Sequence, residues 1–207
     1  MDKISRAIEM YEVLMNKRYI YELLNGDSLE VIFKKENFPH LIGLHKLIDI
    51  SEFNRLNNKM IKGNKVFKMV KNKDIEEEKI INSPNYEKIE LRVENFHKIN
   101  DLVFNRVIYD FDRTKVRTYI KADLVLYTVE DGMYIHLFLV KDKFRKYVPM
   151  TFIVEPNDKY IKGQKDFSIS ILSIEEKIKI LKYIVIYKIR VCKVCISNFT
   201  LIIIVAL

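Results

Sequence analysis

Four runs in the second half of the chain, 119–127, 134–140, 148–154 and 167–172, are rich in β-branched and aromatic residues. They are punctuated by Glu130-Asp-Gly132, by the charged stretch Lys141 to Lys146 and by Glu155-Pro-Asn-Asp158. Short runs joined by such turn-forming stretches predict a four-stranded antiparallel meander. Side chains alternate faces along a strand. In the last three runs this puts Ile135, Leu137, Leu139, Met150, Phe152, Val154, Phe167, Ile169 and Ile171 on one face, which calls for a covering layer of helices. The opposite face holds His136, Thr151, Ser168 and Ser170, and the first run adds Lys121 and Asp123. That second face is either a solvated sheet surface or a site.

The first half supplies the helices. Ile4, Ala7, Ile8, Tyr11, Leu14 and Met15 recur at helical spacing and predict an amphipathic helix over residues 3–17. Apolar runs on both sides of Asn25-Gly26 predict a β-hairpin over 19–33. The stretch from Phe33 to Leu47 then concentrates two of the four histidines, His40 and His45, in one short helix, with Asn37 as its N-cap and Pro39 in its first turn. Five residues apart, the imidazoles sit roughly 140° from each other round a helix, so they are expected to point in different directions unless the helix is irregular near Gly43. On an amphipathic helix they equally suit half-buried polar positions. Gly43 lowers helix propensity, which suggests close backbone packing there. Residues 49–105 read as short helices joined by polar turns at Lys62-Gly-Asn and Asn82-Ser-Pro-Asn85, with His97 among them as a surface or packing residue.

The expected fold class is therefore α+β: N-terminal helices and a β-hairpin followed by a four-stranded antiparallel β-meander, in one domain over 1–174 with a helical middle at 49–105. Residues 175–207 read as an Ile/Lys-rich tail outside that domain, an appendage translated from a shifted reading frame. Its last apolar run, 199–207, is far shorter than a membrane span.

Of the net charge of +8, half falls after residue 174, so the body is mildly basic and compatible with a polyanionic partner. No leader-like segment opens the chain, and a cytoplasmic protein is expected. Several function classes are disfavoured by what the chain lacks. There is no phosphate-cradling glycine loop, nucleophile elbow or His-Glu-x-x-His run, and five glycines suit a nucleotide-binding α/β fold poorly. Cys192 and Cys195 form a lone pair without the further ligands a structural zinc site needs. Asp110 and Asp112 flank Phe111 ahead of a basic stretch and read as surface charges.

The runs Phe33-Lys-Lys-Glu-Asn-Phe-Pro-His-Leu-Ile-Gly-Leu-His45, Ile120-Lys-Ala-Asp-Leu-Val-Leu-Tyr127, Ile135-His-Leu-Phe-Leu139, Pro149-Met-Thr-Phe152 and Tyr160-Ile-Lys-Gly-Gln164 resemble the phage-associated members of the barnase, EndoU, colicin and RelE-like nuclease superfamily, most of all their fourth group. The resemblance spans about Tyr19 to Ser173. It implies helices followed by an antiparallel sheet whose open face holds the active site, and a metal-independent endoribonuclease without cofactor. The ribose 2′-hydroxyl attacks the adjacent phosphate in such enzymes, leaving a 2′,3′-cyclic phosphate. With it come the expectations of RNA as partner, a role as phage effector or toxin, and a protein inhibitor or antitoxin, with no membrane involved. Imidazoles suit the proton transfers at neutral pH, and cations suit the phosphate. The expected catalytic set is His40 or His45 with His136 for proton transfer, Lys121 on the phosphate and Thr151 beside it. Ser168 and Gln164 add hydrogen bonds around the substrate, and Arg113 and Arg117 reach its backbone. The alternative is a non-catalytic RNA- or partner-binding protein on the same scaffold.

Overall fold

A computed structural model describes residues 3–176 and, as backbone, the strands at 182–186 and 203–204. The chain opens with α1 (Lys3–Met15), whose buried side is made of Ile4, Ala7, Ile8, Tyr11, Leu14 and Met15. The cap of its first turn comes from outside the helix. The carboxylate of Glu77 supplies it from a distance, accepting from the Ile4 N–H at 2.7 Å and the Ser5 N–H at 3.2 Å, where the helix dipole favours negative charge. A hairpin follows, β1 (Lys17–Leu23) and β2 (Ser28–Ile32), with Tyr21 opposite Leu29. Its turn uses Gly26 at φ +90° and an Asn25 side chain that accepts from the Asp27 N–H at 3.1 Å.

Short helices come next: α2 (Phe38–Leu41), a 3₁₀ turn at Leu44–Lys46, α3 (Ser51–Asn57), α4 (Gly63–Lys71), α5 (Glu77–Ile81), α6 (Glu90–Asn95) and α7 (Ile99–Val103). The remaining elements are β3 (Val107–Asp110), α8 (Arg113–Val116), β4 (Leu124–Glu130), β5 (Met133–Lys141), β6 (Tyr147–Glu155) and β7 (Lys165–Glu176), with β8 (Lys182–Ile186) and β9 (Ile203–Ile204) beyond.

The strands run in the order β1-β2-β6-β5-β4-β3-β7, and β7 pairs back onto β1. The result is a closed seven-stranded barrel, mixed because β2 and β6 are parallel at Val31 and Tyr147. This overturns the expected α+β fold with a four-stranded antiparallel meander. Three of the four predicted runs do form consecutive antiparallel neighbours, β4, β5 and β6, but the fourth does not lie beside β6. Instead β7 is twelve residues long. Its first part pairs with β3 and the rest with β1, so one strand joins the two ends of the sheet. Alternation along a sequence reports which face a residue takes and says nothing about which strand lies next to it.

Two local expectations are corrected as well. The helix drawn through His40 and His45 stops after one turn, because Gly43 adopts φ +93° and the chain restarts as the 3₁₀ turn; Asn37 makes no side-chain cap. The polar sheet face is not open either. Phe111, Val125, Phe138 and Tyr160 form a second small core there, with Ile120, Ala122, Ile153 and Ile161 packed against it. The connection 111–122 and the loop at 160–161 therefore cover the outer side of β4–β6, and His136 is fully buried.

The main core lies between the other face of the barrel and the helices. Its centre is the Tyr11 ring, which meets Phe38 at 5.2 Å, Phe33 at 5.7 Å, Phe96 at 6.2 Å and Phe67 at 6.5 Å. The Tyr11 hydroxyl donates to the Lys34 carbonyl at 2.9 Å. Phe38, wholly buried, also meets Phe67 and Phe96 edge-on at 5.4 and 5.6 Å. Phe38→Ala should cost about 3–5 kcal/mol, and Tyr11→Phe, after which the Lys34 carbonyl still accepts from the Asn37 N–H at 3.0 Å, only about 0.5–1.5 kcal/mol. Denaturant unfolding of the two variants beside the parent tests the order; a Phe38→Ala protein as stable as the parent would refute this account of the core.

Candidate active site

The site begins with the backbone at Gly43. Its left-handed conformation reverses the chain between α2 and the 3₁₀ turn and brings the His40 and His45 rings to 4.7 Å between centroids, tilted by 42°. The imidazoles thus come together, against the divergence expected of a continuous helix. A Cβ at Gly43 would lie 2.6 Å from Ile89 Cγ2 and 3.4 Å from Arg92 Cδ. Only glycine lets the turn press against α6 at this distance, and the contact fixes the stem of Arg92 beside the histidine pair.

Burial and like charge then depress the proton affinity of each group. His45 is pushed down to about 4, first by burial and then by His40, Arg92 and Lys46, with the Pro39 carbonyl offsetting part of the effect. Its Nδ1 is buried without a hydrogen-bond partner. His40, on the solvent side, is lowered by burial. Lys46 falls to about 8 through burial and the neighbouring Arg92 and Lys88, and its Nζ donates to the Lys88 carbonyl at 3.3 Å. Arg92 is lowered by burial too, and its Nη1 has no partner. The acid that acts on Arg92, Glu155, is already engaged by Lys159 at 2.8 Å. A bound anion would oppose every one of these repulsions, so the arrangement favours an anionic ligand.

The barrel supplies a second group. His136 is enclosed between Tyr134 at 6.4 Å, Tyr127 at 6.2 Å and Phe138 at 5.9 Å, with Tyr160 edge-on at 5.4 Å. Neither of its ring nitrogens makes a hydrogen bond. Burial pushes it down to about 4, with Lys159 adding to the fall and backbone groups of Ile153 and Tyr134 opposing it. Tyr160 connects the two groups, since it packs on His136 and lies near Arg92.

The other expected residues are more scattered. Thr151 pairs with Phe138 and shares the outer face of β6, whereas Ser168 pairs with Val107 on the far side of β3. Gln164 spends its amide on Asp112, accepting from its N–H at 2.9 Å and donating to its carbonyl at 3.1 Å. Lys121 precedes β4 in an exposed loop, and Arg113 and Arg117 are exposed on and just after α8. Sequence reasoning missed Lys46, Arg92 and Tyr160. Lys46 directly follows His45, and Gly43 hinted at close packing, but nothing near Arg92 in sequence marks it as the residue packed there.

Among the described residues, no group of three His, Cys, Asp or Glu is placed to hold a metal ion, and no helix is long and apolar enough to cross a membrane. Cys192, Cys195 and most of the 175–207 tail lie outside the described residues. A surface cleft of about 440 Å³, lined by Ile4, Val70, Glu76 and Glu78 among others, includes no histidine.

The family model described as phage-Barnase-EndoU-ColicinE5/D-RelE like nuclease4 matches residues 3–191. The chain belongs to this family. The match extends on both sides of the stretch over which the sequence alone carries the resemblance. No curated protein and no solved structure matches the chain.

The histidine environments set a pH dependence. In the folded protein His45 and His136 hold protons only below about 4, while in the unfolded chain they titrate near their ordinary value of 6.5. Between those values the unfolded state binds more protons, so their contribution to stability is complete above pH 6.5 and is lost as the pH falls toward 4. Unfolding midpoints at pH 7 and pH 5 should differ, and the drop should be smaller in His136→Phe than in the parent. Equal drops would mean that His136 is not buried as a neutral ring.

Proposed function

We propose that the protein is a metal-independent endoribonuclease that cleaves by internal attack of the 2′-hydroxyl, with its centre at the Gly43 turn. The observation that supports this best is the 4.7 Å pairing of His40 and His45 beside two half-buried cations, Lys46 and Arg92, that form no salt bridge within 4 Å among the described residues. A neutral imidazole of the pair accepts the 2′ proton. The 2′ oxygen bonds to phosphorus, the bond from phosphorus to the 5′ oxygen breaks, and the products are a 2′,3′-cyclic phosphate and a 5′-hydroxyl. Lys46, depressed to about 8, still carries its proton at pH 7 and is poised to give it to the leaving oxygen. Arg92 holds the charge that builds on the phosphate in a partly desolvated setting, where such stabilisation is strong.

The barrel side plays supporting parts in this reading. His136, enclosed, positions Tyr160, and Thr151 lies on the same outer face. Exposed Lys121, Arg113 and Arg117 meet the RNA backbone, Gln164 fixes the loop beside them through Asp112, and Ser168 borders the face. A phage effector or toxin restrained by a protein inhibitor and acting in the cytoplasm suits such an activity. Half-buried cations also suit binding without cleavage, which is the second reading.

The test uses the full chain with labelled RNA in EDTA and analysis of the product ends. His40→Ala and His45→Ala together, and Arg92→Ala alone, should each reduce cleavage by roughly a hundred-fold or more. Lys46→Arg should keep the charge and remove the alkaline limb near pH 8 from the profile of kcat/KM. RNA that shifts in a gel but stays intact would favour the second reading, and variants that cleave like the parent would place the centre elsewhere.

A further inference from the structure

The turn between β5 and β6 has the sequence Lys141-Asp-Lys-Phe-Arg-Lys-Tyr147, in which basic and aromatic residues alternate. Asp142 organises it completely. One carboxylate oxygen accepts from the Phe144 N–H at 2.9 Å and the Lys146 N–H at 3.0 Å, and the other binds the Lys34 ammonium at 2.8 Å. The Asp142 N–H donates to the Lys146 carbonyl at 2.7 Å, and the Arg145 N–H to the Asp142 carbonyl at 3.0 Å. Lys146 is tied to Glu30 at 2.8 Å, and Glu30 is also held by Arg18 at 3.1 Å.

With the acids of the turn spent in this way, Lys141, Lys143 and Arg145 have no acidic partner among the described residues. All three are exposed. Phe144 is 66% exposed at the tip, with the Lys143 ammonium 4.9 Å from its ring centroid, and the Lys141 ammonium lies 5.0 Å from that of Tyr147. Below the tip, Lys141, Arg145 and Tyr147 form one wall of a cleft of about 510 Å³, with Ile20, Leu29 and Glu30 on the other. Arg145 keeps a left-handed backbone, φ 64°, although it is not glycine, and this conformation is held by the Asp142 network.

From this geometry we infer that the β5–β6 tip is a single-stranded RNA subsite, separate from the cleavage centre, in which Lys141, Lys143 and Arg145 contact phosphates and Phe144 stacks on a base. The inference rests on the ribonuclease reading for its choice of polyanion. Three features support it together. The cations are unpaired, so they are available to phosphates. The exposed ring offers the flat apolar face on which bases of any identity stack. The turn is held rigid by its own hydrogen bonds, so little ordering is lost on binding. Lys34, which anchors the turn through Asp142, lies six residues before His40 in the same segment. A strand held at the tip is thereby tethered to the segment that carries the imidazole pair.

The experiment measures binding of the full chain to a labelled 2′-O-methyl oligouridylate of about a dozen nucleotides, which lacks the attacking hydroxyl, over a range of salt concentrations. For single strands each lost phosphate contact reduces the slope of log affinity against log salt by about 0.7, so Lys141→Ser/Lys143→Ser/Arg145→Ser should flatten it by about 2. Phe144→Ser, at an exposed position, should weaken binding roughly five-fold or more and leave the slope unchanged. Thermal melts check that both variants are folded; should the triple variant melt early, Phe144→Ser decides alone. Parent-like affinity and slope in the folded variants would overturn the subsite, as would a parent that does not bind the oligonucleotide. Cleavage of unmodified RNA by the parent is followed in parallel. Cleavage together with parent-like binding by the variants removes the subsite and leaves the enzyme, whereas salt-sensitive binding through the tip without cleavage keeps the subsite and removes the enzyme.

Discussion

The Tyr11 ring is the contact on which the arrangement of the molecule depends. It belongs to the first helix, yet it touches rings from the segment after the hairpin, from α4 and from a 3₁₀ turn at Phe96–Lys98, while its hydroxyl fixes the Lys34 carbonyl. Aromatic pairs of this kind contribute about 0.5–1.5 kcal/mol each beyond the apolar area they bury. Their joint effect here is positional. They hold the chain leaving β2 against α1, they hold Phe38 in the core, and His40 follows two residues later. The ring of Phe96 meets Phe152 at 5.5 Å and carries the same packing into β6. The helices and the barrel therefore share one core, and the candidate centre stands where the segment from β2 crosses α6.

The electrostatic character of that centre follows from the packing. Gly43 has no side chain, so α6 approaches closely and Arg92 is carried inward with it. The guanidinium then lies close enough to lower the proton affinities of both His45 and Lys46, and all three lose part of their water. A surface cluster of the same groups would be screened and would keep nearly ordinary proton affinities. Partial burial is what makes the protonation of two histidines and a lysine sensitive to the charges around them. His136 differs in degree: it is enclosed by rings, and burial outweighs the push from Lys159, so its neutral form is favoured mainly by exclusion of water.

Some of this was visible in the residues. The buried side of α1 is the set of positions at helical spacing, and Asn25-Gly26 marks the hairpin turn. Gly43 announced a close approach, which its contact with Ile89 shows. Other features depend on relations that no local pattern encodes. The barrel closes because β7 is long enough to pair with β3 and then with β1, whereas its apolar core of six residues suggested only a short last strand. β3, only four residues from Val107 to Asp110, carries too little alternation to be recognised. The meeting of His40 and His45 depends on a positive φ at one glycine, which the sequence permits without requiring. The burial of His136 depends on the 111–122 connection folding back over the sheet, and a polar parity read along single strands cannot anticipate such a cover.

The closed ring also has a mechanical property. Six of its seven junctions have two or more residue pairs in register, and the parallel junction of β2 with β6 has one, Val31 with Tyr147. Side chains close the joint that has the fewest backbone rungs: Lys34 binds Asp142 and Lys146 binds Glu30, each at 2.8 Å, so the seal of the ring is partly ionic and weakens as salt rises.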